Sequence, residues 1–207
     1  MNTRQRIIKA ALTLFAEKGY SDVYVSDIAS AVGIKAPSLY KHFKSKQEIF
    51  ESILEELKNS YTEQAAMLSI NGSSADADAA VYSEINEETL IKTGTGLFLY
   101  FLHDENMKLF RKMLTIEQYH NPELAQLYTK QYYDDPISYQ SELFRLLIAQ
   151  GKFKECDPDT LAVQFFTPIY TLITVCDRHP ERENESLAIL ANHIRQFNKA
   201  YLREEES

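Results

Sequence analysis

Residues 23–50, VYVSDIASAVGIKAPSLYKHFKSKQEIF, decide how the first part of this chain folds. Gly33 adopts a positive φ without steric cost, which suits a tight turn between two helices. Pro37 has its φ preset for the first turn of the helix that follows. Before the glycine, apolar residues recur at helical spacing and predict one buried stripe, formed by Val25, Ile28, Ala29 and Val32. The stretch therefore predicts two short helices around a glycine turn.

The second of these helices has two chemically different faces. Leu39 and Phe43 are four residues apart, so they lie on one side of a helix and are expected to pack inward. Ser38, Lys41 and His42 lie on the other side and carry a hydroxyl, an ammonium and an imidazole outward. A short helix with a polar, cationic outer face, held on another helix by a glycine turn, is what the DNA major groove admits.

The charge of the chain is divided unevenly along its length. The 207 residues carry a formal net charge of −8, which by itself argues against binding to phosphate. Residues 1–50, called the head below, contain eight Lys and Arg against four Asp and Glu, whereas the remainder contains 14 basic and 26 acidic residues. A basic head on an acidic body suits a protein that meets nucleic acid at one end. Chance clustering of charge is the alternative.

The head resembles the DNA-binding region of the tetracycline-repressor (TetR/AcrR) family. From Gly33 to Phe43 the sequence reads Gly-x5-Leu-Tyr-x-x-Phe, which is more specific than a generic helix-turn-helix pattern. The resemblance covers about the first fifty residues, and its matching segments are Phe15–Tyr20, Asp27–Ala29, Gly33–Ile34, Ser38–Tyr40, His42–Phe43 and Lys46. The family often has Thr at the position of Val23. Valine can neither cap a helix nor bind phosphate, so Tyr24 or Ser26 is the candidate for that role.

The resemblance implies an all-α fold of two domains. Residues 1–50 form a helix-turn-helix DNA-binding domain, and a long fourth helix joins it to a helical effector-binding and dimerisation domain at residues 51–207. Double-stranded DNA is the expected partner. Contacts with base edges or nearby phosphates are expected from Lys35, Pro37, Ser38, Lys41 and His42. Contacts with the phosphate backbone are expected from Tyr24, Tyr40 and Lys46.

Helix signals continue through the body of the chain. Residues 3–18 are amphipathic and end at Gly19, and Ser45-x-x-Glu48 has the form of a capping box that opens a long helix. The small, polar residues 69–80, SINGSSADADAA, predict a loop. Further amphipathic stretches lie near residues 84–103, 107–118 and 122–133, and no strand pattern of useful length occurs.

The last two predicted helices favour a homodimer. Asp157 and Pro158 form a cap and a first helical position, and the helix behind them, 161–176, is apolar on nearly every side. A helix of this kind needs cover all round, so we expect one side to face the core and the other a second copy. Phe165, Thr167 and Leu172 are the candidate dimer-facing residues. The alternative is that both helices fill a monomeric core. A reader of half-sites needs a two-fold partner to bind a palindromic operator, which favours the dimer.

The body is rich in aromatic residues, which suits a cavity for a small-molecule effector. Plain core packing is the alternative for each of these residues taken alone. The resemblance implies that some of them line an effector pocket, and the candidates are Phe98, Phe101, Met113, Tyr119, Tyr128, Tyr132, Phe166 and Tyr170.

The sequence offers no pattern for catalysis. It contains no phosphate loop, nucleophile elbow or zinc-protease motif, and its five histidines show no metal spacing. Cys156 and Cys176 are expected to be reduced core residues, as in a cytoplasmic protein. No cofactor is expected. No membrane span is expected either, because the apolar run at 161–176 is short. The expected function is a transcriptional repressor that a small-molecule effector releases from a palindromic operator. The alternatives are a ligand-independent dimeric DNA-binding or interaction protein and a small-molecule-handling enzyme.

Overall fold

A computed structural model of the chain describes residues 1–203, and these are almost entirely helical. The only β feature in that range is an isolated bridge between Phe153 and Leu202. A π-helical turn at Lys130–Asp134 precedes the ninth helix, and a 3-10 turn at Pro180–Arg182 precedes the last. The α-helices are α1 (Thr3–Lys18), α2 (Val25–Val32), α3 (Ala36–Leu39), α4 (Lys46–Met67), α5 (Ala75–Glu84), α6 (Glu87–His103), α7 (Glu105–Glu117), α8 (Pro122–Thr129), α9 (Asp135–Ala149), α10 (Pro158–Arg178) and α11 (Glu183–Tyr201).

The chain forms two compact units. The first contains Met1–Tyr61 together with Asp104–Thr129, so α7 and α8 pack in the same unit as the head. In this unit α1 packs against α2 and α7, and α2 packs against α3. Its core contains the stripe expected for α2 except Val25, which the structure leaves half-buried. The largest fully buried side chains of the unit include Ile7, Leu12, Phe15, Ile28, Leu39, Phe43, Ile49 and Met113. The functional boundary predicted at residue 50 stays a prediction.

The second unit contains Thr62–His103 and the chain from Lys130 onward. Here α9 packs against α5 and α10, and α11 packs against α6 and α10. One core cluster gathers around Phe144, Phe153 and Phe197, and another around Phe98, Leu190 and Ile194. Leu190, Ile194 and Phe197 of α11 thus pack within the unit.

The loop predicted for residues 69–80 is wrong in its second half. A helix, α5, begins at Ala75, and the side chain of Ser74 caps it by accepting a hydrogen bond from the backbone N–H of Ala77. Four of its first six residues are alanine, which has the best helix propensity, and the acids Asp76 and Asp78 lie favourably in the first turn. Small size and polarity indicated a loop, whereas propensity and capping favoured a helix.

The apolar helix near the end is longer than predicted. Helix α10 begins at Pro158 and ends at Arg178, and Asp157 caps it as expected. Hydrogen bonds from Thr160 hold the pKa of the Asp157 carboxyl below its usual range. With 21 residues, α10 has the length and composition of a membrane span, which corrects the expectation that no run is long enough. A single helix of this kind is weak evidence for a membrane span, since the core helix of a soluble protein can have the same length and composition.

Candidate nucleic-acid interface

The turn between α2 and α3 has the geometry that the sequence predicts. Gly33 ends α2 in the left-handed conformation, at φ 75° and ψ 31°. Pro37 lies in the first turn of α3. This helix is short and ends at Leu39, but backbone hydrogen bonds from His42 and Phe43 to the Leu39 carbonyl continue the turn. Leu39 and Phe43 are therefore both buried, as their spacing requires.

The predicted reading face lies outward. The side chains of Lys35, Pro37, Tyr40, Lys41 and His42 are exposed, and Ser38 is half-buried. Tyr24 is 69% exposed and Tyr40 is 53% exposed, which is unusual for large aromatic residues and leaves their rings available to DNA. By contrast, Val23 is fully buried, so its side chain is not available to DNA.

The basic residues of the head fall into two groups. Some stabilise the head itself: an Arg6 guanidinium nitrogen donates to the Val32 carbonyl at 2.7 Å, and the Arg4 guanidinium lies 4.8 Å from the centre of the Phe43 ring. In the part of the chain that the structure describes, no ion pair involves Lys35, Lys41 or Lys44. Lys44 is exposed in the same turn, although the sequence did not single it out. Its place in the run from Lys41 to Lys46 was the available signal.

Lys46 belongs to the first group, which the sequence did not predict. Its ammonium donates to the carbonyls of Tyr20 and Val23, at 2.8 and 2.9 Å, and lies 4.2 Å from the centre of the Tyr20 ring. Burial lowers the pKa of Lys46, while the carboxylates of Glu117 and Asp22 act in the opposite direction. Two of its three donors thus hold the loop before α2. Its contact with phosphate stays a prediction.

The capping box that opens α4 forms in a modified way. The Ser45 hydroxyl accepts from the backbone N–H of Glu48 at 3.1 Å, as predicted. The Glu48 carboxylate, however, accepts from the backbone N–H of Lys44 at 2.5 Å. The box therefore fixes the backbone of Lys44 at the edge of the reading face.

Residues 19–24 connect α1 to α2, and they are hydrogen-bonded by Glu117, which no sequence pattern indicated. Glu117, the last residue of α7, is 3% exposed, and its carboxylate accepts hydrogen bonds from the backbone N–H and the hydroxyl of Ser21. Ninety-six residues separate the two partners. No local sequence pattern reports a contact over such a separation.

The candidate effector residues do not form one group. Met113, Tyr119 and Tyr128 lie in the first unit, where Met113 is fully buried and Tyr119 is 81% exposed. The remaining five lie in the second unit.

Within the second unit, the structure brings three of those residues together. Tyr170 stacks with Tyr132 at 5.4 Å and with Phe166 at 6.4 Å between ring centroids. Phe98 and Phe101 instead pack with the core cluster around Leu190 and Ile194. Whether any of the eight lines an effector pocket stays a prediction.

A second exposed surface lies along α10 and α11. It is an open, mainly apolar groove, called the α10–α11 groove, lined by Val163, Gln164, Thr167, Pro168, Thr171, Leu172 and Ile189. The hydroxyls of Thr167 and Thr171 donate to carbonyls of their own helix, so their methyl groups are left to face outward. Of the three candidate dimer-facing residues, Thr167 is exposed, whereas Phe165 and Leu172 pack into core clusters.

Among residues 1–203, no group of three or more His, Cys, Asp or Glu side chains is placed to hold a metal ion. Cys156 and Cys176 are both free, and Cys176 is buried as expected. His103 and His120 are exposed.

An exposed cationic and aromatic face on a helix-turn-helix, followed by a helical body, defines the class of helical DNA-binding regulators. Residues 7–53 match the family model described as bacterial regulatory proteins, tetR family. This match covers most of the head and the start of α4, so that part of the chain is similar to the DNA-binding region of tetR-family regulators.

Relatives known by sequence match a short part of the chain. The chain is 52% identical over 48 residues to the biofilm operon icaADBC negative transcriptional regulator IcaR of Staphylococcus aureus (strain Newman). That match covers 23% of this chain and 26% of IcaR. The chain thus spans about a quarter of the length of the curated relatives that it matches.

Solved structures extend the likeness of the fold to the whole chain. The complex of SmeT with triclosan matches with a TM-score of 0.68 and 20% identity, over 98% of this chain and 93% of SmeT. SmeT is the repressor of the Stenotrophomonas maltophilia multidrug efflux pump SmeDEF. A regulator from Saccharomonospora viridis in complex with choline matches with a TM-score of 0.63 and 22% identity, over 97% and 98% of the two chains. At these identities the likeness concerns the fold.

Proposed function

We propose that this chain represses transcription as a homodimer bound to a palindromic DNA operator, with one head in the major groove of each half-site. The observation that carries the proposal is the reading face of the head, where Lys35, Tyr40, Lys41 and His42 are exposed around a buried Leu39. A surface of ammonium, phenol and imidazole groups offers donors to phosphates and base edges together. The relationship to IcaR, a negative regulator, supports repression.

The proposed contacts divide by chemistry. Lys35, Lys41 and Lys44 bind phosphates, because each carries an ammonium on an exposed flexible stem. Tyr24 and Tyr40 position the head because their hydroxyls contact the phosphate backbone of the DNA. Ser38 and His42 read base edges, and Pro37 contacts a thymine methyl.

The α10–α11 groove supplies the proposed dimer interface. Val163 and Ile189 are 47% and 43% exposed, and the threonine methyls continue the apolar surface between them. An exposed apolar surface on two long adjacent helices is self-complementary when a two-fold axis pairs it with a copy, giving four packed helices. A dimer of this kind supplies the two heads that a palindromic site requires.

A small-molecule effector is proposed to release the operator. The stack of Tyr132, Phe166 and Tyr170 beside the π-helical turn is the proposed starting point of its site, since π-helical turns often occur at functional positions. The complexes of SmeT with triclosan and of the S. viridis regulator with choline support a ligand in this fold. Effector and DNA then weaken each other's binding reciprocally.

This proposal places the chain in the cytoplasm, with no cofactor and no catalytic step. The two rivals predict different behaviour: a ligand-independent regulator binds DNA without any response to small molecules, and an enzyme turns over a substrate without needing DNA. The match of residues 7–53 to the tetR family model favours the regulator over the enzyme.

Selection of DNA by the full-length protein tests the proposal. We expect fragments of the source genome to be enriched at ~0.15 M salt, and footprints on them to show two inverted half-sites. A matched duplex in which one half-site is scrambled should bind much more weakly. If no fragment is enriched over bulk competitor DNA, the proposed function is wrong.

A thermal-shift panel of hydrophobic amphiphiles and cationic dyes tests the effector site. A compound that binds the folded protein should raise its melting temperature by mass action and should release the selected duplex. Phe166→Ala and Tyr132→Ala should reduce the shift while the affinity for DNA stays within about threefold of wild type. An active compound whose effect is unchanged in both variants would place the effector site elsewhere.

A further inference from the structure

Glu117 occupies an unusual position for a carboxylate. It is 3% exposed and lies at the end of α7, outside the head and outside the region that matches the family model. A buried carboxylate needs hydrogen-bond donors to offset its lost hydration. Its Oε1 accepts from the Ser21 backbone N–H at 3.1 Å, and its Oε2 accepts from the Ser21 hydroxyl at 3.0 Å. Both oxygens are thus used on one residue of the loop before α2.

The loop is shaped to receive this carboxylate. Gly19 has φ +87°, and a Cβ at that position would lie 2.5 Å from the Glu117 Oε1. No side chain fits there without moving the carboxylate, and a positive φ strains any residue other than glycine. Gly19 therefore serves two needs at once, the backbone turn after α1 and the close approach of Glu117.

The same loop is held from a second direction. The Lys46 ammonium at the start of α4 donates to the carbonyls of Tyr20 and Val23. The Tyr20 hydroxyl donates to the Gln47 side chain at 3.1 Å. Glu117 accepts hydrogen bonds from the loop, and Lys46 donates hydrogen bonds to its carbonyls. Residues 20–23 are therefore fixed between α7 and α4. Tyr24 and the first turn of α2 follow directly.

We propose that Glu117 is a positioning residue for DNA recognition, which makes the placement of α2 depend on the position of α7. This inference rests on the proposed function. Glu117 touches no DNA, because it is buried. It acts through Ser21 on the loop that sets Tyr24 and the start of α2, and loosening that loop adds freedom that DNA binding must remove. A movement of α7 that breaks the two hydrogen bonds therefore weakens the affinity of the head for DNA.

The test is a double-mutant cycle on the full-length protein with the duplex that the wild type selects. Glu117→Gln and Ser21→Ala should each weaken DNA binding about fivefold to tenfold, since each removes a hydrogen bond of ordinary or charge-assisted strength. The double variant should bind within about twofold of Glu117→Gln alone, because both changes remove the same contact. Glu105→Gln is the matched control: it removes the same charge from the first turn of α7, where it breaks only an exposed 3.8 Å ion pair with Lys9, and it should bind like wild type because such pairs contribute little.

Melting temperature and salt dependence separate positioning from stability. The dissociation constants are measured at a temperature where every variant is folded, so that a lower melting temperature does not change them. We expect a lower salt slope for Glu117→Gln, because an unfixed α2 loses phosphate contacts. Wild-type affinity and slope in both variants, or losses that add fully in the double variant, would overturn the positioning role alone. A wild type that selects no DNA would overturn the proposed function and this role with it.

Discussion

Lys35→Ala combined with Lys41→Ala is expected to weaken binding to the palindromic duplex by about a thousandfold at 0.15 M salt, because a dimer loses four phosphate contacts. Both ammonium groups are exposed and, within residues 1–203, neither takes part in an ion pair. Each contact releases about 0.9 of a counterion from B-DNA. The slope of log affinity against log salt should therefore fall by about 3 to 4, measured by fluorescence anisotropy at several salt concentrations.

The matched control removes the same charge from a different surface. Lys108→Ala with Lys112→Ala changes two exposed lysines on α7, so it alters the net charge without touching the reading face. This control should shift affinity by only a few-fold, and neither pair should change the melting temperature much, since exposed side chains contribute little to stability. Equal losses from the two pairs would mean that net charge, and not the reading face, drives binding.

Thr167→Glu is expected to split the dimer into folded monomers and to weaken binding to the palindrome by about a hundredfold or more. Thr167 is exposed in the α10–α11 groove, and its hydroxyl already donates to the Val163 carbonyl at 2.7 Å. The wild-type side chain therefore needs no partner for its hydroxyl when an apolar surface covers it. A glutamate there would bury an unpaired charge in each copy, which is costly. Each monomer keeps its reading face but loses the linked second head.

Sedimentation equilibrium measures the assembly directly, and circular dichroism checks that the variant stays helical. Thr129→Glu is the control, because Thr129 is also exposed on a helix and its hydroxyl donates to the carbonyl four residues before it. We expect it to remain dimeric and to bind DNA like wild type. A Thr167→Glu protein that stays dimeric would remove this groove from the interface, and a wild type that is monomeric at micromolar concentration would contradict the palindromic-site model.

The head could be predicted from sequence because its determinants are local. Gly33, Pro37 and the spacing of Leu39 and Phe43 act within a few residues of one another, so periodicity and turn chemistry report them. The caps at Ser45 and Asp157 were visible for the same reason. Where two local signals competed, as in residues 69–80, the prediction failed: composition favoured a loop, but alanine propensity and the Ser74 cap produced a helix.

The role of each basic residue was decided by the tertiary structure. Charge counting treats Lys35 and Lys46 alike, but only folding brings the Lys46 ammonium to two carbonyls more than twenty residues away. The aromatic candidates also differ in their placement, because Phe98 in α6 is 1% exposed whereas Tyr119 in the turn after α7 is 81% exposed.

The sequence by itself determined an all-helical chain with a DNA-reading head, because helix periods, caps and the glycine turn are written within a single stretch of residues. Only the tertiary structure decided that Asp104–Thr129 packs in the same unit as that head and that Glu117 accepts hydrogen bonds from the loop before α2. The physical reason is that the hydrogen bonds between Glu117 and Ser21 join residues 96 positions apart. Such a contact depends on how helices pack in space, and periodicity along the chain does not predict it.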